Sequence, residues 1–204
     1  MPERIVWKEG DLVNIKLRDD LYTIGQMLTS PAMRFFDISN KDGEWENINL
    51  NEFDILFRVF VGRIINKELI QNKINSSTVI ASDTPYEPYW IAPYSIMDGE
   101  HYKGSRNSFP FLGGRIIDLG SDGKRSITSA PVIKEDLSLP QDRELIEKYE
   151  LDNMWGSEDL KDRLGRYFDT GINRDDLKFE VFPDLWDDRE KLRPLTRRLP
   201  VPLR

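Results

Sequence analysis

The 204-residue sequence contains no cysteine and only one histidine, His101. The absence of cysteine excludes disulfides, thiolate metal sites and a cysteine nucleophile, and it fits a reducing compartment. A single histidine excludes metal sites built from several histidines and leaves one candidate for histidine acid–base chemistry. We expect a surface or turn position for His101, because its loop, DGEHYKG, has no apolar periodicity.

Long apolar runs are also absent. A membrane helix requires about eighteen consecutive apolar residues, and no stretch of the sequence approaches that length. The start, MPERIVWKEGD, lacks the apolar core of a signal peptide. We therefore expect a cytoplasmic protein with no membrane partner. The hydrophobic fraction of 39% is sufficient for a folded core.

Positive charge is scarce except at the end of the chain. The net charge is −7, which argues against direct binding of nucleic acid, because binding to phosphates requires clustered cations. Residues 134–188 hold 17 acidic and 8 basic side chains, and residues 189–204 hold 1 acidic and 6 basic side chains. Such charges usually form a solvated surface, and an acidic surface for a partner is the alternative.

The motifs of common enzymes are missing. GSDGKRS contains Gly-Lys, but Asp118 and Arg125 stand where a phosphate loop needs glycine and Ser or Thr. Asp159 and Lys161 have a nuclease-like spacing, but the helical pattern around them directs the two side chains apart. The sequence therefore predicts no catalytic residue, no metal site and no cofactor. We interpret it as a binding protein rather than an enzyme.

Two other functions stay open at this point. The stretch YEPYW, residues 86–90, gathers aromatics and prolines that could bind an extended peptide, although core packing is the commoner use of these residues. An enzyme of unrecognised type is the third possibility. It would depend on His101 or on one of the carboxylates.

The first half of the chain has the period of β-strands. GDLVNIKLRDDLYTIGQML alternates on both sides of a polar turn, which predicts a hairpin, and Gly25 within it indicates a bulge or a close backbone approach. Further strands are predicted at RFFDIS, FDILFRVFVGRII, STVIASD, YWIAPYSI and RIIDL. Asp42-Gly43 is a strong turn signal.

Helix signals follow residue 138. We predict that Asp142 caps RELIEKYEL, and that Ser157 caps EDLKDRLGRYF, in which Leu160, Leu164 and Phe168 form one apolar stripe that ends near Gly171. Asp159–Arg163 and Asp162–Arg166 are expected to pair on the surface of that helix. LKFEVF alternates and predicts a last strand.

These patterns predict an α+β fold. Residues 1–133 would form a mainly β scaffold, a strongly curved antiparallel sheet or small barrel. Residues 134–204 would supply helices packed beside it, an acidic surface and a basic tail, all within one globular unit.

The opening hairpin carries a resemblance to a known family. Gly10-Asp11, the alternating strand, the acidic turn, Tyr22 and Gly25-Gln26-Met27-Leu28 resemble the start of the immunity protein 26 family of bacterial polymorphic-toxin systems. FFDI, DILFRVFVGRII and DNMWGSEDLKDRLGRYFDTG are similar to later parts of that family. Asp20 and Thr23 depart from its usual turn glycine and second aromatic residue.

The resemblance implies a cytoplasmic antidote that binds and neutralises a cognate toxin domain, in some systems a nuclease with a basic cleft. No catalytic residue is implied. An acidic inhibitor would gain fast association with a basic partner. The expected contacts with the toxin lie on and before the acidic helix, with the tryptophan as an aromatic anchor: Asp152, Trp155, Glu158, Asp159 and Asp162.

Overall fold

The protein has a mixed α+β fold, as the sequence predicted, in the computed structural model, which describes residues 5–94, 113–120 and 125–187. The chain divides into two compact units. Unit 1 comprises Met1–Tyr86 and Asn153–Asn173, and unit 2 comprises Glu87–Asp152 and Arg174–Arg204. The chain thus passes between the units three times. The boundary predicted at residue 133 describes a different property, the change from mainly β segments to helical segments.

A strongly curled six-stranded sheet forms the body of unit 1. Its order is β11-β5-β3-β2-β1-β6, and the β11–β5 pair is parallel. The strands are β1 (Leu12–Arg18), β2 (Leu21–Met27), β3 (Ala32–Asn40), β5 (Ile55–Val61), β6 (Ile70–Lys73) and β11 (Met154–Trp155). Two short parallel strands, β4 (Ile48–Asn49) and β7 (Val79–Ile80), pair separately. A one-turn helix, α1 (Ile65–Glu68), precedes β6.

The predicted hairpin is confirmed as β1 and β2, joined at Asp19 and Asp20. Gly25 marks both a register shift between β2 and β3 and a close approach, because a Cβ there would lie 2.8 Å from Met33 Sδ. The turn at Gly43 is also confirmed, with a left-handed φ of +75°.

Both faces of this sheet are covered by apolar side chains, which is why its strands are buried more completely than simple alternation predicts. One face packs against α3 (Ser157–Thr170) through a cluster that includes Ile15, Phe35, Val59 and Leu164. The other face carries a second cluster around Phe36.

Helix α3 partly confirms its prediction. Leu160 and Leu164 are fully buried, Phe168 packs against them, and Gly171 ends the helix with a left-handed φ of +73°. The predicted cap is wrong: the N-cap residue is Gly156, and the Ser157 hydroxyl instead donates to the Glu68 carboxylate. Arg163 and Arg166 are buried rather than on the surface.

Unit 2 contains a three-stranded antiparallel sheet in the order β10-β9-β8. Its strands are β8 (Tyr89–Pro93), β9 (Gly114–Asp118) and β10 (Val132–Lys134), and its helices are α2 (Arg143–Lys148) and α4 (Asp176–Val181). Ile91, Ile116, Ile146 and Phe182 belong to one apolar cluster that joins the sheet to the helices.

Two predictions fail in unit 2. The alternating LKFEVF is helix α4 rather than a strand, because the Asp175 side chain accepts from Leu177 N at 2.8 Å and starts a helix. Asp142 occupies the N-cap position of α2 but makes no capping bond to it. Its carboxylate accepts from Ser138 N and pairs with Lys134 at 3.2 Å.

None of the helices in the described ranges combines the length and the apolar character needed to cross a membrane.

Candidate functional site

Trp155, which the sequence predicted as an aromatic anchor for a partner, is a core residue. Its side chain is only 5% exposed, and its ring lies 6.3 Å from that of Phe57. The Arg163 guanidinium lies over both rings, 3.7 Å from the Phe57 centroid and 5.3 Å from the Trp155 centroid. Because the ring is enclosed by the sheet and α3, a partner does not reach it without unfolding this part of unit 1.

Its neighbour Met154 points the other way. Successive side chains of a strand alternate between its two sides, so the burial of Trp155 leaves Met154 57% exposed. Ile64, before α1, is 42% exposed, and both side chains lie 3.8 Å from the position of a Cβ on Gly62. The two apolar side chains are therefore neighbours on the surface of unit 1.

Acidic side chains follow this apolar pair in the first turn of α3. Glu158 is exposed and Asp159 is half-buried, and the Asp159 carboxylate lies 3.9 Å from the Cβ position of Gly156. Glu68 is exposed and is held by the Ser157 hydroxyl. We call the group formed by Ile64, Met154, Glu158 and Asp159 the Met154 surface. Of the predicted contact residues, Glu158 and Asp159 belong to this surface, and Asp162 lies one helical turn beyond it.

Asp162 lies four residues after Glu158, so the two side chains share a face of α3. It is half-buried. The helix is less acidic than the sequence segment as a whole: residues 153–173 contain four acidic and three basic side chains. Most of the acidic excess of residues 134–188 therefore belongs to unit 2, around α2 and α4.

Asp152 belongs to unit 2, unlike the other predicted contacts. Its backbone N–H donates to Ile91 O at 2.9 Å, which aligns it with β8. Burial of its carboxyl raises the pKa to about 6, against an opposing effect of its own backbone N–H and of Arg115. Asp152 therefore belongs to a different unit from the Met154 surface, and the pKa of its carboxyl is raised.

The aromatic residues of the stretch YEPYW are divided between the two units. Tyr86 belongs to unit 1, where the Arg58 guanidinium lies 4.4 Å from its ring centroid. Trp90 is 3% exposed in unit 2, and the Tyr89 ring packs edge-on against Tyr149. These residues are largely used for packing. His101 and the basic tail, residues 189–204, lie outside the described residues.

A buried arginine on the sheet was not identified from the sequence. Arg34 in β3 is 3% exposed, and its guanidinium donates to Gln26 Oε1, to Thr84 O and to Ser82 O. Burial lowers the pKa of Arg34. Gln26 also accepts from Ser82 N at 3.2 Å and donates to Ser82 O at 2.9 Å. The two side chains thus fix residues 82–84, just before the chain leaves unit 1.

The sequence offered one signal that Arg34 is buried and hydrogen-bonded in this way. A charged residue interrupts the apolar stretch MRFFDI at a position whose strand neighbours are buried, and a buried arginine requires several acceptors. Its backbone acceptors, Ser82 O and Thr84 O, lie about fifty residues away in the chain, so the spacing alone could not name them.

Tyr94 forms a further polar cluster in unit 2. Tyr94 is only 1% exposed. Its hydroxyl lies 3.0 Å from Glu135 Oε2 and 3.1 Å from Asp136 Oδ1, and it accepts a hydrogen bond from Asp136 N. Burial raises the pKa of this phenol to about 12. The cluster orders the loop before α2. In the described part of the chain no group of His, Asp and Glu side chains has the arrangement of a metal site.

The chain was compared with known proteins. The profile of one family, described as a domain of unknown function (DUF8309), matches residues 2–187. The chain belongs to the DUF8309 family. The match covers both units of the fold, so this DUF8309 chain carries the β scaffold and the helical segments within one family domain. Searches of curated proteins and of solved structures found no match.

Proposed function

We propose that this DUF8309 protein is a non-catalytic antidote of the immunity type, which binds a cognate bacterial toxin domain and neutralises it. The observation that carries the proposal is the Met154 surface, where two exposed apolar side chains adjoin the acidic first turn of α3. The resemblance of the opening hairpin to immunity protein 26 supports the same function.

The composition of the Met154 surface is that of a protein-binding site. Methionine adapts its shape to a partner, and interfaces combine an apolar centre with a charged rim. Met154 and Ile64 provide the centre, and Glu158 provides part of the rim. A basic partner would approach faster because of these carboxylates, and dissociation would depend on the apolar contacts.

The supporting scaffold is well ordered by its packing. Met154 follows the register of β11 on β5, and α3 is attached to the sheet by Leu160 and Leu164. An interface that is already in place before binding loses little conformational entropy on association. This property suits an inhibitor that must act on an enzyme at low concentration.

The test is binding of the purified protein to the product of the reading frame directly upstream of its gene. We expect a one-to-one complex whose association rate falls as salt rises from about 50 to 500 mM. Glu158→Lys should lower the association rate, and Met154→Ala should raise the dissociation rate at least tenfold, as expected for a residue near the centre of an interface.

Glu44→Lys is the matched control, since Glu44 is also exposed in unit 1 but lies outside the Met154 surface. It should change the rates less than twofold. The absence of a complex with the upstream product would overturn the antidote proposal. A complex that Glu158→Lys and Glu44→Lys weaken equally would overturn the assignment to the Met154 surface.

A further inference from the structure

The outer strand of the six-stranded sheet exposes unpaired backbone. β11 is the last strand in the order β11-β5-β3-β2-β1-β6, and it contacts the sheet through β5 alone. Gly62 N donates to Trp155 O at 2.9 Å, which shows that Trp155 directs its backbone groups toward β5. In a parallel pair alternate residues face the neighbour. The N–H and C=O of Met154 therefore point away from β5.

No hydrogen bond within the described chain occupies this outer side of Met154. A polar side-chain atom beside it, Asn153 Oδ1, is also without a hydrogen-bond partner, although it is buried. Buried polar atoms are nearly always paired in folded proteins, so this orphaned oxygen next to the unpaired backbone of Met154 is unusual.

We propose that the partner of the Met154 surface is bound by strand addition: an extended segment of the partner protein pairs with the free edge of β11 at Met154. This inference rests on the proposed function and specifies how the partner is held. Strand addition derives its affinity from backbone hydrogen bonds and its specificity from the side chains on each side of the edge.

The side chains around the edge define the segment. Met154 and Ile64 offer an apolar contact for one side chain of the incoming strand. Glu158 and Asp159 lie in the turn directly after β11 and favour a basic residue near one end of it. We therefore expect an extended segment of at least three residues, with one large apolar residue and a neighbouring lysine or arginine.

The two edges of the sheet differ in character. β11 carries methionine and tryptophan in a regular parallel register, whereas the other edge, β6, has the polar sequence Ile70–Lys73 and a register shift. β11 is only two residues long, and short edge strands limit pairing with other chains. The incoming segment would therefore pair with the backbone of Met154 alone.

The decisive variant is Met154→Pro, which removes the backbone N–H that points away from β5 together with the methionine side chain. Proline is tolerated on an edge strand when its missing N–H faces outward, so the fold should survive. Met154→Ala is the matched control, because it shortens the same side chain and keeps the N–H. Circular dichroism and thermal unfolding check that both variants fold.

Binding to the upstream gene product is then measured for both variants. Strand addition predicts that Met154→Pro weakens binding at least tenfold more than Met154→Ala does. It also predicts that the Met154 amide exchanges with deuterium at least a hundredfold more slowly in the wild-type complex than in the free protein.

Equal losses in the two variants, with no protection of the Met154 amide, would overturn strand addition while leaving the antidote proposal intact. The absence of any wild-type complex would overturn both proposals. If Met154→Pro fails to fold, amide exchange in the wild-type complex decides the question alone: protection supports strand addition, and unchanged exchange overturns it.

Discussion

At the scale of single residues, the charged groups inside each unit are the features that depend most on distant parts of the chain. Arg34 illustrates this. Its buried guanidinium has neutral acceptors only, two backbone carbonyls and one side-chain amide, and it holds the segment that leaves unit 1. A charge of this kind is stable only while its acceptors are in place.

Replacing Arg34 should therefore be costly. Arg34→Leu leaves Thr84 O without its donor and removes one of the two donors of Ser82 O and of Gln26 Oε1, and we expect a loss of about 2 kcal/mol in the free energy of unfolding. Urea denaturation at pH 7 measures this loss. Arg63→Leu, at an exposed position, should change stability by less than about 0.5 kcal/mol. A loss below about 1 kcal/mol for Arg34→Leu would contradict the role of Arg34 in holding residues 82–84.

Asp152 gives a prediction about pH. Its pKa is about 6 in the folded protein against an ordinary value of 3.8, so the folded state binds the extra proton between these values. The associated stability is fully present below about pH 4 and is lost as the pH rises through 6. Asp152→Asn should therefore be more stable than wild type by about 1–2 kcal/mol above pH 7 and equal to it near pH 4.

Urea denaturation at pH 4, 6 and 8 tests this difference. Glu144→Gln is the control, because Glu144 is exposed on α2 in the same unit. Its difference from wild type should stay small at every pH. A pH-independent difference for Asp152→Asn would show that the buried carboxyl is not the titrating group.

At the scale of elements, helix α3 and its end contain two glycines with different roles. Gly171 is needed where the helix ends, and Gly165 within the helix has no such requirement. Gly171 has a φ of +73°, a left-handed conformation in which a side chain is strained, whereas Gly165 lies inside the helix with no atom within 4 Å of its Cβ position. We expect Gly171→Ala to destabilise the protein by about 1 kcal/mol. Gly165→Ala should stabilise it by about 0.5–1 kcal/mol, because alanine has the higher helix propensity.

Thermal unfolding of the two single variants compares these opposite signs directly. The variants differ only in where the methyl group is added to the same helix. If Gly171→Ala raises the melting temperature, the assignment of Gly171 as the helix-ending residue is wrong, and if Gly165→Ala lowers it, Gly165 is not a free helix position.

The elements that the sequence predicted correctly are those whose local pattern had one explanation. The alternating Val13, Ile15 and Leu17 of β1, and the stripe of Leu160 and Leu164 in α3, belong to the same buried cluster. Helix α4 was missed because Lys178, Phe179, Glu180 and Val181 are all buried, so its burial carries no helical period. The usable signal was Asp175 at the N-cap position, followed by Asp176 in the first turn.

The candidate site was predictable only in part, for a similar reason. Glu158, Asp159 and Asp162 could be named as candidates because acidic residues near the start of an amphipathic helix are visible in the sequence. Which of Met154 and Trp155 faces the solvent depends on the pairing of β11 with β5, about ninety residues away in the chain. No local pattern contains that information.

At the scale of the whole molecule, the connectivity predicts which parts of the chain unfold together. Residues 153–173 belong to unit 1 although residues 87–152 and 174–204, on both sides of them in the sequence, belong to unit 2. The core clusters follow this division: Ile15 lies in the cluster with α3, and Ile146 lies in the cluster with α4. Local stability should therefore follow the units and not the order of the chain.

Two matched variants test this. Ile15→Val and Ile146→Val each remove one methylene from a fully buried side chain, and each should cost about 1 kcal/mol. Ile15→Val should speed hydrogen exchange in Ser157–Thr170 and leave Arg143–Lys148 nearly unchanged, and Ile146→Val should do the reverse. Hydrogen exchange with mass spectrometry measures both segments in one experiment. Equal acceleration of both segments by either variant would show that the protein opens as one cooperative body. In that case α3 would lose its stability with α2, and the two units would describe packing density rather than separate folding units.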